Sequence, residues 1–301
     1  MNKKAFQGTG TAMVTPFTAD GAIDEPALRR FVDFQIVEGI DMLLPCGTTG
    51  EGATLENDEA DRVLRIVLDQ AKGRVPVIFG AGSNSTKKAV EGADRAKRLG
   101  ADGVLSVGPY YNKPTQRGFI EHFKAVAEVG LPVIVYNVPG RTGSNIEAST
   151  TLKISEIPNI VAVKEASGNL VQMMDILRSR PADFRVLSGD DAITLPLVAA
   201  GGDGVVSVVP NEVPGMMTKM TDAALAGDFA RARELHYRML PLMNANFLES
   251  NPIPVKAVLA MMGMMGENYR LPLVPMSPNS RSQIQKIAEN LGIVHSVSAS
   301  R

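Results

Sequence analysis

Short apolar runs, most of them closed by Gly, Pro, Asn or Asp, recur along the chain. They are GTGTAMVTPF (8–17), GIDMLLPCG (39–47), VPVIFGAG (75–82), ADGVLSVGP (101–109), LPVIVYNVP (131–139), IVAVKEAS (160–167), FRVLSGDD (184–191) and GGDGVVSVVP (201–210). Their cores, such as Val-Ile-Phe and Val-Ile-Val-Tyr, are continuous rather than alternating, which is the pattern of parallel strands covered on both faces. Between most of them the apolar positions switch to helical spacing. Residues 25–39 place Leu28, Phe31, Val32, Phe34 and Ile36 broadly on one side, and residues 58–73 do the same with Val63, Leu64, Val67 and Leu68. Eight strands alternating with helices, at a repeat of roughly 30 residues, predict right-handed βαβ units closed into a (β/α)8 TIM barrel. A doubly wound open sheet is the rival, but about six strands suffice there, and no G-x-G-x-x-G follows the first strand.

After Pro210 the pattern turns to helices only, in residues 217–247, 251–266 and 280–292. The expected division is therefore a barrel over residues 1–220, carrying the site, and a C-terminal helical extension over 221–301. The methionines between 261 and 265 read as adaptable core or subunit packing. Residues 193–210 are weakly polar, but Gly201, Gly202 and Asp203 split them into a helix and a strand rather than a membrane span. The opening MNKKAFQGTG has charge but no apolar h-region, so no secretory signal is expected.

Charge narrows the partners. Among 301 residues, 31 Lys and Arg face 32 Asp and Glu, for a net charge of −1 with no long run of either sign. That leaves no electrostatic footprint for nucleic acid or an anionic membrane, and a small-molecule ligand is the better expectation. Cys46 is the single cysteine, which excludes an intrachain disulfide and a multi-cysteine zinc site and fits a reducing cytoplasm.

In a barrel of this kind the chemistry sits at the C-terminal ends of the strands. The polar residues there are Thr15, Thr48, Thr49, Asn84, Tyr110, Tyr111, Tyr136, Arg141, Lys164, Glu165, Gly189, Asp190, Asp191 and Ser207 if Gly189 is counted with its loop. No histidine is among them. His122, His236 and His295 fall in helical or tail segments and are expected at the solvated surface. A His-ligated metal, a Ser-His-Asp triad and a histidine base all lose their usual residue, so no metal or other cofactor is expected, and acid/base work falls to Tyr, Lys or carboxylates.

Lys164 is the one lysine inside a strand core. Alternation puts Ile160, Ala162 and Lys164 on one face and Val161, Val163 and Glu165 on the other, so an inward Lys164 is geometrically open. Buried, its amine would lose part of its charge and could attack a carbonyl to form a Schiff base. The bland reading is a strand-end lysine paired with Glu165 or Asp190. Tyr136 closes the preceding strand and could carry protons at such a centre, or could simply pack. Arg141, in the loop that follows, could clamp a carboxylate or pair with a neighbouring acid. GTTGE (47–51) sets two hydroxyls and backbone donors at the end of the second strand, and Tyr110 and Tyr111 add phenols after the fourth.

Taken together, GTTGE, GPYYNKPTQ, VIVYNVPGRTG, VAVKEASGN, VLSGDD and GGDGVVSV resemble the dihydrodipicolinate synthases, in the pyruvate-dependent class I aldolase superfamily that includes N-acetylneuraminate lyase. The likeness runs from about Gly8 to residue 263, with the motifs in the family's order. The resemblance implies that Lys164 forms a Schiff base with pyruvate and that Tyr136 shuttles protons there. It implies that Thr48 links Tyr136 to Tyr111, the latter reaching in from a neighbouring subunit. Thr49 would hold the pyruvate carboxylate, helped by main-chain groups around Gly189 and Val206, and Arg141 would bind the carboxylate of L-aspartate 4-semialdehyde. The product would be 4-hydroxy-tetrahydrodipicolinate, on the route to diaminopimelate and lysine, made by a lyase that assembles as a homotetramer of two dimers. Lysine-inhibited members present a histidine and a glutamate near the subunit interface; here Asn57, Ala60 and Lys88 stand at the matching places, so weak or absent feedback is expected. Other pyruvate aldolases, such as N-acetylneuraminate lyase or a sugar-acid aldolase, stay open. So do a phosphate-binding barrel using Gly201, Gly202 and Gly204, and a non-catalytic binding protein.

Overall fold

The computed structural model describes residues 6–294, so the expectation for His295 falls outside the described residues. The first half of the chain runs β1 (Gly8–Ala12), α1 (Glu25–Val37), β2 (Met42–Leu44), α2 (Asn57–Ala71), β3 (Ile78–Gly80), α3 (Thr86–Leu99), β4 (Gly103–Val107), α4 (Gln116–Ala127) and β5 (Val133–Asn137). The second half runs α5 (Pro139–Thr142), α6 (Ala148–Ser155), β6 (Ile160–Glu165), α7 (Leu170–Ser179), β7 (Arg185–Ser188), α8 (Thr194–Ala199), β8 (Gly204–Ser207), α9 (Pro214–Leu225), α10 (Phe229–Ala245), α11 (Ile253–Met261) and α12 (Pro278–Leu291).

The strands are all parallel, in the order β2-β1-β8-β7-β6-β5-β4-β3. A parallel bridge between Leu43 and Val77, with Leu43 N donating to Pro76 O at 3.0 Å, joins the two ends. The sheet therefore closes, and the open-sheet rival falls. Local chemistry sets the helix starts: Asp24 caps α1 through Ala27 N at 3.0 Å, and Glu56 with Glu59 forms a capping box on α2.

Alternation along each strand divides the core in two. Ala12, Met42, Leu44, Ile78, Ile134, Tyr136, Ala162, Leu187 and Val206 fill the barrel interior. Val104, Val133, Val135, Val163 and Val186 face outward against Phe31, Leu64, Phe119, Phe123 and Ile176 of the helices. Ile160 departs from the predicted face. The β5/β6 register shifts at Val133 and Ile134, so Ile160 turns to the outer layer and Val161 packs toward the interior. Such a bulge reverses the side-chain phase on one side of it, while Ala162 and Lys164 keep theirs.

The C-terminal helices close over the barrel rather than trailing from it. Residues 217–247 are two helices, α9 and α10, packed through Met217, Met220, Leu235, Met239 and Leu242. Met262 and Met264 pack against the main core and Met265 is buried in it. No helix of the described residues is long and apolar enough to cross a membrane.

Two further expectations are corrected. His122 and His236 are buried, not solvated. His122 shares the inner face of α4 with Phe119, Phe123 and Val126; its Nδ1 lies 2.9 Å from Thr86 Oγ1, and burial lowers its pKa to about 4. The phosphate-binding reading fails on position. Gly201 and Gly202 precede β8, and Gly204 opens it, so all three lie at the end of the barrel opposite the site. At Gly204 (φ +140°) an added Cβ would stand 2.0 Å from Gly8 O, so this glycine serves strand contact, not a ligand.

Candidate active site

At the C-terminal end of the barrel a pocket is lined by Gly47, Thr48, Thr49, Tyr136, Arg141, Lys164, Gly189, Asp190, Val208, Phe247 and Asn251, among others. Strand register builds its centre. Tyr136 of β5 stands opposite Lys164 of β6, which stands opposite Leu187 of β7. The Lys164 Nζ lies 4.2 Å from the centroid of the Tyr136 ring. Gly189 leaves the lysine room, because a Cβ there would come within 3.1 Å of Lys164 Cγ and Cε.

Neither proposed salt-bridge partner reaches that amine. Glu165 points to the opposite face, where Asn137 Nδ2 (3.1 and 3.0 Å), Gln172 Nε2 (3.0 Å) and Ser167 N (2.7 Å) donate to it. The Asp190 carboxylate is engaged by Ala192 N at 3.0 Å. Lys164 makes no hydrogen bond or ion pair with any described residue, and only 6 % of it is exposed. Burial lowers its pKa to about 8; the nearby Asp191 carboxyl opposes that shift and the Arg141 guanidinium adds to it. An unpaired buried ammonium costs several kcal/mol, so the group relaxes toward the free amine. Burial likewise pushes the Tyr136 phenol up to about 12, which keeps it protonated and able to donate.

The loop after β2 supplies hydroxyls at fixed positions. Thr15 Oγ1 donates to Gly50 O at 2.7 Å, and Glu51 N closes a turn on Thr48 O at 3.1 Å. Asn251 Nδ2 donates to Thr49 Oγ1 at 2.9 Å. That occupies an acceptor site of the Thr49 hydroxyl and leaves its proton for a ligand. Arg141 sits on the short turn α5 at the mouth; it is exposed and forms no ion pair with a described residue. A small anion entering the pocket would meet a guanidinium with nothing else to neutralise it.

Six of the eight predicted site residues line this pocket; Tyr111 and Val206 do not. Val206 lies in the barrel interior on β8. Tyr111 is 88 % exposed with φ +74°, and its N–H donates to Thr142 O at 3.2 Å. Among the described residues, Thr48, Tyr136 and Tyr111 form no hydroxyl chain within one copy of the protein. The sequence reading missed Asn251 and Phe247. Asn251 sits in the NPIP stretch, 202 residues from Thr49, and no local pattern links the two.

The arrangement suits nucleophilic attack on a carbonyl: an amine whose pKa burial has lowered so that part of it is free near neutral pH, the ring of a protonated phenol against it, threonine hydroxyls lining the same pocket, and a cation at the mouth for a second anion. Comparison with known proteins agrees in kind. The model of the dihydrodipicolinate synthetase family matches residues 5–291. A 4-hydroxy-tetrahydrodipicolinate synthase of Koribacter versatilis is 55 % identical over 291 residues, 96 % of this chain and 97 % of the relative. The crystal structure of dihydrodipicolinate synthase from Aquifex aeolicus superposes with a TM-score of 0.94 at 43 % identity, covering 97 % of this chain and all of that one (100 %). The Acinetobacter baumannii enzyme, solved in complex with pyruvate, gives 0.94 at 40 % identity over 96 % of this chain and 99 % of its own. On matches that span nearly its whole length in both sequence and structure, the chain belongs to the dihydrodipicolinate synthetase family.

Proposed function

We propose that the protein is a lyase that condenses pyruvate with L-aspartate 4-semialdehyde through a Schiff base on Lys164, as a 4-hydroxy-tetrahydrodipicolinate synthase in lysine and diaminopimelate biosynthesis. The observation that carries this reading is Lys164 itself, buried, unpaired, with its pKa lowered to about 8 beneath the Tyr136 ring.

The free amine attacks the pyruvate C2 carbonyl to give a carbinolamine. The protonated Tyr136 phenol donates as the hydroxyl leaves as water, and an imine forms. Loss of a C3 proton gives an enamine that attacks the aldehyde carbon of the semialdehyde. The substrate's own amino group then displaces Lys164 by transimination, closing the ring and restoring the amine. Thr49 donates to the pyruvate carboxylate, with main-chain groups near Gly189 and Val206 beside it. Arg141 holds the carboxylate of the semialdehyde. Thr48 connects Tyr136 to Tyr111 of a neighbouring subunit, within a cytoplasmic homotetramer.

Arg141 supports the semialdehyde over sugar-derived aldehydes, because an uncompensated guanidinium at the mouth favours a carboxylate-bearing acceptor. The test compares turnover of aspartate semialdehyde with that of N-acetylmannosamine and sugar-acid aldehydes, each with pyruvate. A clear preference for the first is expected; negligible activity on it overturns the assignment.

A further inference from the structure

A second buried lysine lies near the site and has a different use. Lys256 of α11 has none of its side chain exposed (0 %), and its Nζ donates to Glu51 Oε1 at 2.6 Å, with the Glu51 side chain 1 % exposed. The ammonium also faces the rings of Phe17 at 4.4 Å and Tyr269 at 5.2 Å, and Arg270 N donates to Glu51 Oε2 at 3.3 Å. A fully buried ion pair is a costly way to gain stability, since an apolar replacement of both partners is often neutral or better. What the pair holds in place is therefore the question.

Glu51 closes the loop that carries Thr48 and Thr49. It adopts the left-handed conformation (φ +53°), which most side chains avoid, and its N–H donates to Thr48 O. The loop has little slack: a Cβ on Gly50 would lie 2.9 Å from both Cys46 N and Met13 O. Glu51 and Lys256 are 205 residues apart, so a C-terminal helix joins the barrel contacts at Gly50 in setting where this end of the loop stands. We propose that the ion pair of Lys256 and Glu51 positions Thr48 and Thr49, and through them governs how readily the site saturates with its keto acid. Lys256 and Glu51 are positioning residues and touch no reacting atom. The inference rests on the reading above that Thr49 holds the pyruvate carboxylate.

The experiment uses the full-length enzyme, trapped with borohydride across a pyruvate titration, with the adduct at Lys164 quantified by mass. The variants are Glu51→Gln and the double Lys256→Met/Glu51→Leu, which removes both charges together and avoids an orphaned buried ion. Thermal unfolding is followed in parallel. The double variant is expected to unfold near the parent's temperature yet to need about tenfold more pyruvate for half-trapping, with the semialdehyde KM unchanged. A folded double variant that half-traps at the parent's pyruvate concentration overturns the proposal. Should the double variant fail to fold, Glu51→Gln decides. It keeps an acceptor for Lys256 but not the charge; a raised half-trapping concentration supports the proposal and an unchanged one overturns it. A parent enzyme that traps no pyruvate at Lys164 overturns the functional reading instead, and is seen before any variant is compared.

Discussion

Lys164 of β6 lies directly across the parallel register from Tyr136 of β5, its Nζ 4.2 Å from the centre of the phenol ring. Strand register thus sets the two residues side by side on the inner face of the barrel, where both line the pocket. Lys256 shows what a lysine does when it is buried for structure: it takes a carboxylate at 2.6 Å. Lys164 takes none, and its pKa falls to about 8.

That value makes a pH prediction. At pH 7 about a tenth of Lys164 is free amine, against fewer than about one in a thousand for an ordinary lysine. The rate of pyruvate adduct formation should climb about tenfold per pH unit below 8 and level off above it. A rate flat from pH 6 to 8 would contradict it. Stability carries the matching sign. The native pKa lies below the unfolded one, so the cost of burying the ammonium is fully present below pH 8 and is relieved as pH rises toward 10.4. Lys164→Met should therefore stabilise the inactive protein at neutral pH, by something on the order of 1 kcal/mol, read by thermal unfolding.

Arg141→Ala should raise the semialdehyde KM and lower kcat, by about tenfold or more in kcat/KM, while pyruvate still traps on Lys164. Because the guanidinium helps lower the Lys164 pKa, its removal should also move the acid limb of adduct formation upward. Unchanged kinetics for the semialdehyde would remove Arg141 from its role.

Tyr111 is 88 % exposed in a single copy. If it completes a partner's site, specific activity should fall on dilution in step with dissociation, and Tyr111→Phe should lower kcat with adduct formation preserved. Activity that persists in a demonstrably monomeric sample would place Tyr111 outside the mechanism.

Lysine feedback should be weak or absent. Asn57 and Lys88 are exposed at the starts of α2 and α3, and an ammonium at residue 88 repels the ammonium of a lysine ligand. Steady-state rates with added lysine should match those without it; tight inhibition would refute this.

The barrel was legible because its strands are buried on both faces and therefore spell continuous apolar runs, and because the strand ends mark the catalytic face. Lys164 was legible as inward because alternation holds over Ala162 and Lys164; it failed at Ile160, where a register shift that no sequence pattern announces turns the side chain outward. His122 was misread although the signal was present, since it sits three residues from Phe119 on the apolar stripe of α4. Asn251 and Lys256 were out of reach. Their partners, Thr49 and Glu51, lie 202 and 205 residues away, and only the packing of the C-terminal helices over the barrel brings them together.

The central claim is that Lys164 is the nucleophile. Borohydride reduction of the enzyme in the presence of pyruvate, followed by peptide mass mapping, tests it most directly. The account predicts one reduced pyruvate adduct per chain, on Lys164, and none in Lys164→Ala. No adduct, or an adduct on Lys256 or any other lysine, would contradict it.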